Sequence, residues 1–256
     1  MTSKKISIIT PSYNQGNYIE ETILSVLNQK YPNLEYIVID GGSTDNTLSI
    51  LKKYKNKIRW ISEKDNGQAD AINKGFKMSS GEIVGYLCSD DKYESGTLKI
   101  VDSEFNDESV KIITGDYYII NEDGKKIKSI VPSYKKIFWK IKSIYGYLFA
   151  NYTNQPSTFW RKDLFNEYGY FDTSLRYEFD YDWWIKVISK YGIKFVYKKL
   201  SCFRIHSKSK SGSEFNRSFT EEYNVIKKYS KNKLFLLIKK LNNILVVLIY
   251  KFFRLI

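Results

Sequence analysis

Residues 34–45 read Leu-Glu-Tyr-Ile-Val-Ile-Asp-Gly-Gly-Ser-Thr-Asp, a short apolar run that ends in an acid, two glycines and a helix-capping pattern. The run at 34–39 is rich in β-branched and aromatic side chains and predicts a buried strand. The glycines permit a tight turn, and Thr44 and Asp45 favour the start of a helix directly afterwards. A strand that turns at once into a helix is the repeating unit of a parallel α/β sheet, so this segment sets the fold class.

Similar units precede and follow this segment. Short apolar runs at residues 6–10, 58–61 and 83–88 alternate with helix-patterned stretches, of which the first is predicted to have Asn17 as its N-cap. Beyond residue 92 the pattern becomes mixed. We predict a hairpin of strands 110–120 and 126–131, strands at 157–161 and 193–205, and helices at 181–191, 214–229 and 233–255. The predicted fold is therefore α/β, with a mixed, mostly parallel sheet and helices on both faces.

Length and composition favour one globular domain with an appendage. The 256 residues are 43% hydrophobic and 16% aromatic, a composition that excludes a disordered chain. We assign residues 1–230 to a catalytic domain, with a nucleotide-binding half at 1–92 and an acceptor half at 93–230. The two cysteines, Cys88 and Cys202, indicate no disulfide framework, and the start of the chain has no pattern of a secretory signal. We therefore expect a cytoplasmic protein.

The positive charge is concentrated near the carboxyl terminus. Residues 198–256 hold 14 basic and three acidic side chains, which is +11 of the net +13. Within 231–256, six basic residues and no acid accompany apolar runs that are shorter than the ~20 residues needed to span a bilayer. We expect this tail to be an amphipathic helix that lies on an anionic membrane, which makes the protein peripheral at the inner face of the cell membrane. Packing on the domain or on a second subunit is the alternative.

Acidic residues stand directly after two of the predicted strands. Asp40 follows the run 34–39, and Ser89-Asp90-Asp91 follows the run 83–88. Ligands of open α/β sheets bind at the carboxyl ends of strands, so both positions are candidates for a nucleotide site. A divalent cation compensates two adjacent carboxylates and shares its oxygen ligands with a diphosphate. A helix-capping turn at Asp40 and a solvated turn at residues 89–91 remain alternatives.

Further candidates lie late in the chain. Asp180 and Asp182 open the predicted helix at 181–191 beside Trp183 and Trp184. Asp182 has the position of a helix cap, whereas Asp180 has surroundings that would raise the pKa of a carboxyl group, as a general base needs. His206, the single histidine, ends the last predicted strand and is either structural or a ligand of metal or phosphate.

Five segments over about residues 4–206 follow one another in a recognisable order. They are Ile9-Thr10-Pro11-Ser12-Tyr13-Asn14, Asp40-Gly41-Gly42-Ser43-Thr44-Asp45, Asp65-Asn66-Gly67-Gln68-Ala69-Asp70-Ala71-Ile72-Asn73-Lys74-Gly75, Ser89-Asp90-Asp91 and Asp180-Tyr181-Asp182. This succession resembles the family 2 inverting glycosyltransferases. The resemblance implies the glycosyltransferase A fold, a Rossmann-like mixed sheet, together with a nucleotide-sugar donor and Mn²⁺ or Mg²⁺.

The resemblance also implies roles for single residues. Pro11 and Tyr13 would frame the nucleoside, Asp40 would bind the base, Asp65 and Lys74 would line the same pocket, Asp90 would meet the ribose, Asp91 and His206 would hold the metal, and Asp180 would be the base. The family's Asp-x-Asp triad begins here with a serine, so its first acid is missing. In the segment 154–161, Phe159 and Trp160 would stack on acceptor sugars or belong to the core, and the basic run 134–149 would border a lipid-linked acceptor or be a solvated helix face.

The implied reaction is a single displacement at the anomeric carbon with inversion. A saccharide or lipid-linked acceptor loses its hydroxyl proton to Asp180, and the donor is a nucleoside-diphosphate sugar, which we expect to be a UDP-sugar. Polysaccharide or glycolipid synthesis at the cell surface is the expected context. Alternatives are a nucleotidyltransferase, whose glycine-rich loop is replaced here by Pro11-Ser12-Tyr13-Asn14-Gln15, and a non-catalytic basic protein that binds nucleic acid or membrane. We do not expect nucleic acid to be the partner.

Overall fold

The described residues form one mixed sheet of nine strands. The computed structural model describes residues 3–129, 131–141, 143–207, 209 and 214–252. Residue 142 of the basic run, residue 208, residues 210–213 and residues 253–256 of the predicted tail lie outside this set. The strands are β1 (Ile6–Ser12), β2 (Leu34–Asp40), β3 (Arg59–Ser62), β4 (Ile83–Tyr86), β5 (Lys92–Tyr93), β6 (Ile112–Ile120), β7 (Lys126–Ile127), β8 (Thr158–Arg161) and β9 (Lys194–Arg204).

The strand order brings most carboxyl ends to one edge of the sheet. The order is β3-β2-β1-β4-β8-β6-β9-β5, and β7 pairs with β6 beside this path. β1 is parallel to β2 and β4, and β2 is parallel to β3. β8 runs antiparallel to both β4 and β6, and β9 is parallel to β6. The carboxyl ends of β1, β2, β3, β4, β6 and β9 therefore share an edge, which is where ligands of such sheets bind.

Helices cover both faces because the strands alternate their side chains between two buried clusters. One cluster contains Ile9 and Ile39 with helix residues such as Phe76 and Trp184, and the other contains Ile8 with residues such as Val26 and Leu51. This arrangement confirms the predicted fold class. The helices are α1 (Ile19–Leu27), α2 (Thr47–Lys53), α3 (Gln68–Met78), α4 (Thr97–Glu104), α5 (Val131–Trp139), α6 (Ile144–Ala150), α7 (Leu164–Tyr168), α8 (Phe179–Tyr191), α9 (Phe215–Tyr229) and α10 (Lys233–Phe252).

Two local predictions were wrong. Asn17 is not the cap of α1, which begins at Ile19 without a side-chain cap bond. The backbone carbonyl of Gln15 accepts from the amide of Ile19 at 2.9 Å instead. The predicted strand at 126–131 ends at Ile127, and α5 begins at Val131. Pro132 explains this change, because proline cannot donate to a strand ladder but fits the first turn of a helix.

The last helix packs on the domain through one face. In α10, Lys239 Nζ contacts Glu222 of α9 at 2.9 Å in a buried ion pair, and Asn243 donates to the same carboxylate at 3.0 Å. Phe235 and Leu236 pack against the core. Residue 230 is therefore not the end of the packed structure. Among the described residues, no helix combines the length and the apolarity that crossing a membrane requires.

Candidate active site

Asp40 is used to build the turn after β2. Its carboxylate is fully buried and accepts hydrogen bonds from the amides of Gly42 and Ser43 at 3.1 and 2.9 Å. The hydroxyl of Ser62, from the end of β3, donates to it at 2.6 Å. Gly42 has a φ of 83°, a conformation that favours glycine. The prediction that Asp40 binds the base is therefore corrected, because its oxygens are occupied within the turn.

Asp65 approaches the same turn from the next connection. Its Oδ2 lies 2.5 Å from the position that a Cβ on Gly41 would occupy, so a side chain at residue 41 would displace the Asp65 carboxylate. Tyr13, after β1, is 61% exposed at this edge, whereas Pro11 is buried within β1. The structure therefore brings Asp65 and Tyr13 to the predicted nucleoside edge.

Lys74 is held by neighbouring carboxylates. Its Nζ lies 3.0 Å from Glu63 and 3.5 Å from Asp70. These contacts come from the connection after β3 and from the same helix. Lys74 is therefore neutralised beside the segment that contains Asp65.

The adjacent carboxylates of Asp90 and Asp91 differ in their surroundings. Asp91 is 1% exposed, and its Oδ1 accepts from the backbone amide of Arg204 at 2.8 Å. Its Oδ2 is buried and has no hydrogen-bond partner among the described residues. Burial and the charge of Asp90 raise the pKa of Asp91 well above its ordinary value. A carboxyl group in this state needs a compensating positive charge to be ionised at neutral pH.

His206 lies at the same site but contacts the other carboxylate. Its Nε2 is 3.1 Å from Asp90 Oδ2, and its ring packs on Tyr18 with 4.7 Å between ring centroids. The structure thus places His206 in contact with Asp90, whereas the sequence predicts it as a metal ligand together with Asp91.

Arg204 is a residue whose role the sequence analysis missed. It is 2% exposed, and its Nε donates to the carbonyl of Asp90 at 2.7 Å. Its Nη1 donates to the carbonyls of Asn121 and Glu122, and its Nη2 pairs with Glu21. Together with the amide contact to Asp91, these bonds fix the acidic loop to the end of β9. The sequence does contain a signal for this role, because the arginine ends an apolar strand two residues before the single histidine.

The acidic pair fits a divalent cation. One ligand atom each from Cys88, Asp90 and Asp91 lies within 4.8 Å of the others. Because Asp91 Oδ2 is both buried and without a partner, a bound cation would satisfy it. Carboxylate oxygens suit Mn²⁺ and Mg²⁺.

Asp180 stands at the start of α8 and has the properties expected of a base. Its Oδ2 accepts from the hydroxyl of Tyr86 at 2.6 Å, and its Oδ1 accepts from the amide of Tyr181 at 2.6 Å. Burial raises the pKa of Asp180 to about 6, although these two hydrogen bonds and the charge of Lys135 act to lower it. The group is therefore largely ionised at neutral pH and can accept a proton.

Tyr86 connects this carboxyl group with the acidic pair. Burial raises the pKa of Tyr86 well above its ordinary value, and Asp180, Cys88 and Asp91 contribute to the shift in that order. Tyr86 ends β4, only a few residues before Asp91. The candidate base thus contacts Tyr86 directly, and the charges of the metal-binding candidates Cys88 and Asp91 also act on this buried side chain.

Lys135 is a second functional candidate, which nothing in the sequence distinguishes from the other lysines of its basic run. Its Nζ donates to the carbonyl of Thr153 at 2.7 Å. Burial lowers the pKa of Lys135 to about 8, against the opposing charges of Asp180, Glu178 and Glu222. The other lysines of the run do not share this setting among the residues described, so α5 presents one particular cation toward the base.

Three other side chains with predicted roles are buried and stabilise the fold. Asp182 is 3% exposed and pairs with Lys186 at 2.8 Å and Lys228 at 3.4 Å, so it ties α8 to α9 rather than only capping a helix. Phe159 and Trp160 are both fully buried in the core. The predicted stacking of these rings on acceptor sugars is therefore corrected.

The comparison with protein families decides the assignment. Residues 7–169 match the family model described as glycosyl transferase family 2. The chain belongs to glycosyltransferase family 2. This match covers the Asp40 turn, the Asp65 segment and the acidic pair.

Relatives and solved structures agree with the family and the fold. An uncharacterized glycosyltransferase of Rickettsia felis is 32% identical over 225 residues, which are 86% of this chain but only 37% of the relative. S. aureus TarS in complex with UDP-GlcNAc superposes with a TM-score of 0.64 at 22% identity and covers 86% of this chain and 65% of that one. The mannosyltransferase PcManGT from Pyrobaculum calidifontis, in complex with GDP-Man and Mn²⁺, gives a TM-score of 0.70 at 18% identity, with 90% and 66% covered.

Proposed function

We propose that this glycosyltransferase moves a sugar from a UDP-sugar to a hydroxyl of a saccharide or lipid-linked acceptor, with inversion and with Mn²⁺ or Mg²⁺. One observation carries the proposal. The buried oxygen of Asp91 that lacks a partner and the carboxyl group of Asp180, with a pKa of about 6, both lie next to Tyr86 at the carboxyl edge of the sheet. A cation site and a base at the same edge of the sheet suit a displacement in which the cation neutralises the leaving group and the base takes a proton.

The donor occupies the edge between the β1 and β3 connections in this proposal. Tyr13 and Asp65 contact the nucleoside, and Asp90 contacts the ribose. TarS binds UDP-GlcNAc and PcManGT binds GDP-Man with Mn²⁺, and these ligands support a nucleotide sugar and a divalent cation for this chain also. When bound, the cation neutralises charge on the leaving diphosphate.

In this proposal the acceptor reaches Asp180 from the side of α5, because the charge of Lys135 on that helix acts on Asp180. Asp180 accepts the proton of the attacking hydroxyl, and Tyr86 and the amide of Tyr181 hold its two oxygens in place. Lys135 keeps a positive charge close to the base and favours its ionised form. Attack from the face opposite the leaving group inverts the anomeric configuration.

The membrane assignment stays a proposal that rests on α10. Its exposed apolar residues recur at intervals of three and four, which places them along one face of the helix. No acid occurs in residues 231–256. We propose that this face lies on the inner surface of the cell membrane, where the enzyme assembles cell-surface polysaccharide or glycolipid. The residues of this face are Leu234, Leu237, Ile238, Leu241, Ile244, Leu245 and Leu248.

A thermal-shift screen tests the proposed function. The full chain is heated with UDP-sugars and GDP-sugars, each with Mn²⁺ and with a chelator. A ligand at a hundred times its Kd stabilises the folded state by about 2.7 kcal/mol, so a true donor gives a clear shift that needs the metal. Stabilisation by GDP-sugars alone would correct the base, and the absence of any metal-dependent shift would overturn the proposal.

A further inference from the structure

Cys88 lies directly before the acidic loop, and its sulfur points into the same space as the two carboxylates. Ligand atoms of Cys88, Asp90 and Asp91 are all within 4.8 Å of one another. Atoms bound to one ion at ~2.0–2.6 Å each are separated by roughly 3–5 Å, so this spacing is that of a shared coordination sphere.

We propose that Cys88 is a further ligand of the divalent cation, so that the site combines sulfur with carboxylate oxygen. The inference rests on the proposed function, because the cation is the one assigned there to Asp91. The inference goes beyond the proposed function because it adds a sulfur ligand to the two carboxylates.

The state of Asp91 is an independent sign that an ion belongs at this position. Its Oδ1 is fixed by the backbone amide of Arg204 at 2.8 Å, which sets the direction of the carboxylate. Its Oδ2 is buried and has no partner among the described residues. A rigid carboxylate that leaves one buried oxygen uncompensated is organised to bind a cation.

The surroundings of Cys88 favour a sulfur that carries negative charge. The side-chain amide of Gln68 donates to its Sγ at 3.2 Å, whereas the neutral thiol donates to Gln155 Oε1 at 3.5 Å, a bond that metal binding would replace. Gln68 opens α3, where the positive end of the helix dipole adds to the same effect. A thiol bound to a metal is deprotonated, and the Gln68 amide and the helix dipole would stabilise the resulting thiolate.

The other cysteine provides a matched control. Cys202 is fully buried in β9 and donates to Glu94 at 2.9 Å. It does not belong to the cluster of possible metal ligands among the described residues. A serine at either position keeps a similar size and a hydrogen-bonding group, so the two substitutions differ chiefly in their relation to the metal.

Sulfur coordination changes which metals the site prefers. Thiolate is a soft ligand that favours Co²⁺, Zn²⁺ and Cd²⁺, whereas Mg²⁺ favours oxygen and gains little from sulfur. Replacing Cys88 should therefore weaken thiophilic metals selectively and leave Mg²⁺ nearly unchanged.

Cobalt spectroscopy of the full chain with UDP tests the inference. Wild type and Cys202→Ser should show a sulfur-to-cobalt charge-transfer band at longer wavelength than the absorption of aromatic residues and uracil, and Cys88→Ser should lack it. In calorimetry with UDP present, Cys88→Ser should lose at least about tenfold in Cd²⁺ affinity while Mg²⁺ affinity changes by less than about threefold.

The outcomes separate this inference from the proposed function. If Co²⁺ and UDP bind to wild type without the charge-transfer band, sulfur is not a ligand and the inference is overturned, while the nucleotide site stands. The same conclusion follows if Cys88→Ser loses Mg²⁺ and Cd²⁺ affinity equally. If no metal promotes nucleotide binding in any of the three proteins, the inference and the proposed function both fail.

Discussion

Asp180→Asn should lower turnover and raise stability at neutral pH. The amide keeps the shape of the side chain and can still bond to Tyr86 and to the amide of Tyr181, but it cannot take the acceptor proton. Turnover should fall by roughly 10²–10⁴-fold, the usual contribution of a positioned base. Affinity for donor and metal should stay near that of wild type, because the proton moves only as the transition state forms.

The raised pKa of Asp180 gives the size and sign of the stability effect. Its pKa rises from 3.8 to about 6, so the folded state holds the proton more tightly than the unfolded chain does. The carboxyl group therefore contributes stability below about pH 4 that is lost as the pH rises through about 6. A shift of about 2 units corresponds to at most ~3 kcal/mol, and partial exposure reduces this to about 1–2 kcal/mol. Asp180→Asn should be more stable than wild type by this amount at pH 7, with no difference at pH 4.

Denaturant unfolding at pH 4 and pH 7, together with single-turnover assays, measures both effects. Asp182→Asn is the control on the same helix. Because Asp182 is buried and paired with Lys186 and Lys228, its replacement should lower stability and leave the turnover of folded enzyme unchanged. Turnover of Asp180→Asn within tenfold of wild type would refute the assignment of the base. Equal stability of this variant and wild type at pH 7 would refute the burial argument.

Two further predictions concern the pH profile and the membrane. Tyr86→Phe removes a hydrogen bond that lowers the pKa of Asp180, so the acidic limb of the pH–rate profile should move about one unit higher, and an unmoved limb would contradict this. The double substitution Leu241→Asp with Leu245→Asp should reduce sedimentation with anionic liposomes, whereas Tyr197→Asp, at a 70% exposed position outside α10, should not. Equal sedimentation of all three proteins would exclude α10 as the membrane contact.

Periodicity was sufficient to predict the fold, and the strand-end acids lie at the carboxyl edge of the sheet. The run at 34–39 forms a strand because its residues alternate between two buried clusters, and Asp40 and Asp91 follow strands as expected. The predictions were less successful where a residue's partners come from distant segments. Ser62 donates a hydrogen bond to Asp40, and the amide of Arg204 orients Asp91. Both partners are distant in the chain from the acid that they contact.

Burial explains the other differences. Phe159 and Trp160 alternate in a strand, and an edge strand would have exposed one ring to an acceptor. Instead β8 lies between β4 and β6, with helices on both faces, so both rings are in the core. Lys135 differs from its basic neighbours only because α5 turns it toward Thr153 and the base. Sequence spacing carries no information about that packing.

The most direct test of the proposed site is a calorimetric titration of UDP with Mn²⁺ into wild type, Asp91→Ala and Asp180→Asn. Asp91 has a buried oxygen without a partner, and Asp180 is placed to act on the acceptor. Wild type and Asp180→Asn should bind UDP with similar affinity, and only in the presence of the metal. Asp91→Ala should lose the metal-dependent part of the affinity while its unfolding transition remains cooperative. If Asp91→Ala binds UDP and Mn²⁺ as tightly as wild type does, the assignment of the metal site is contradicted.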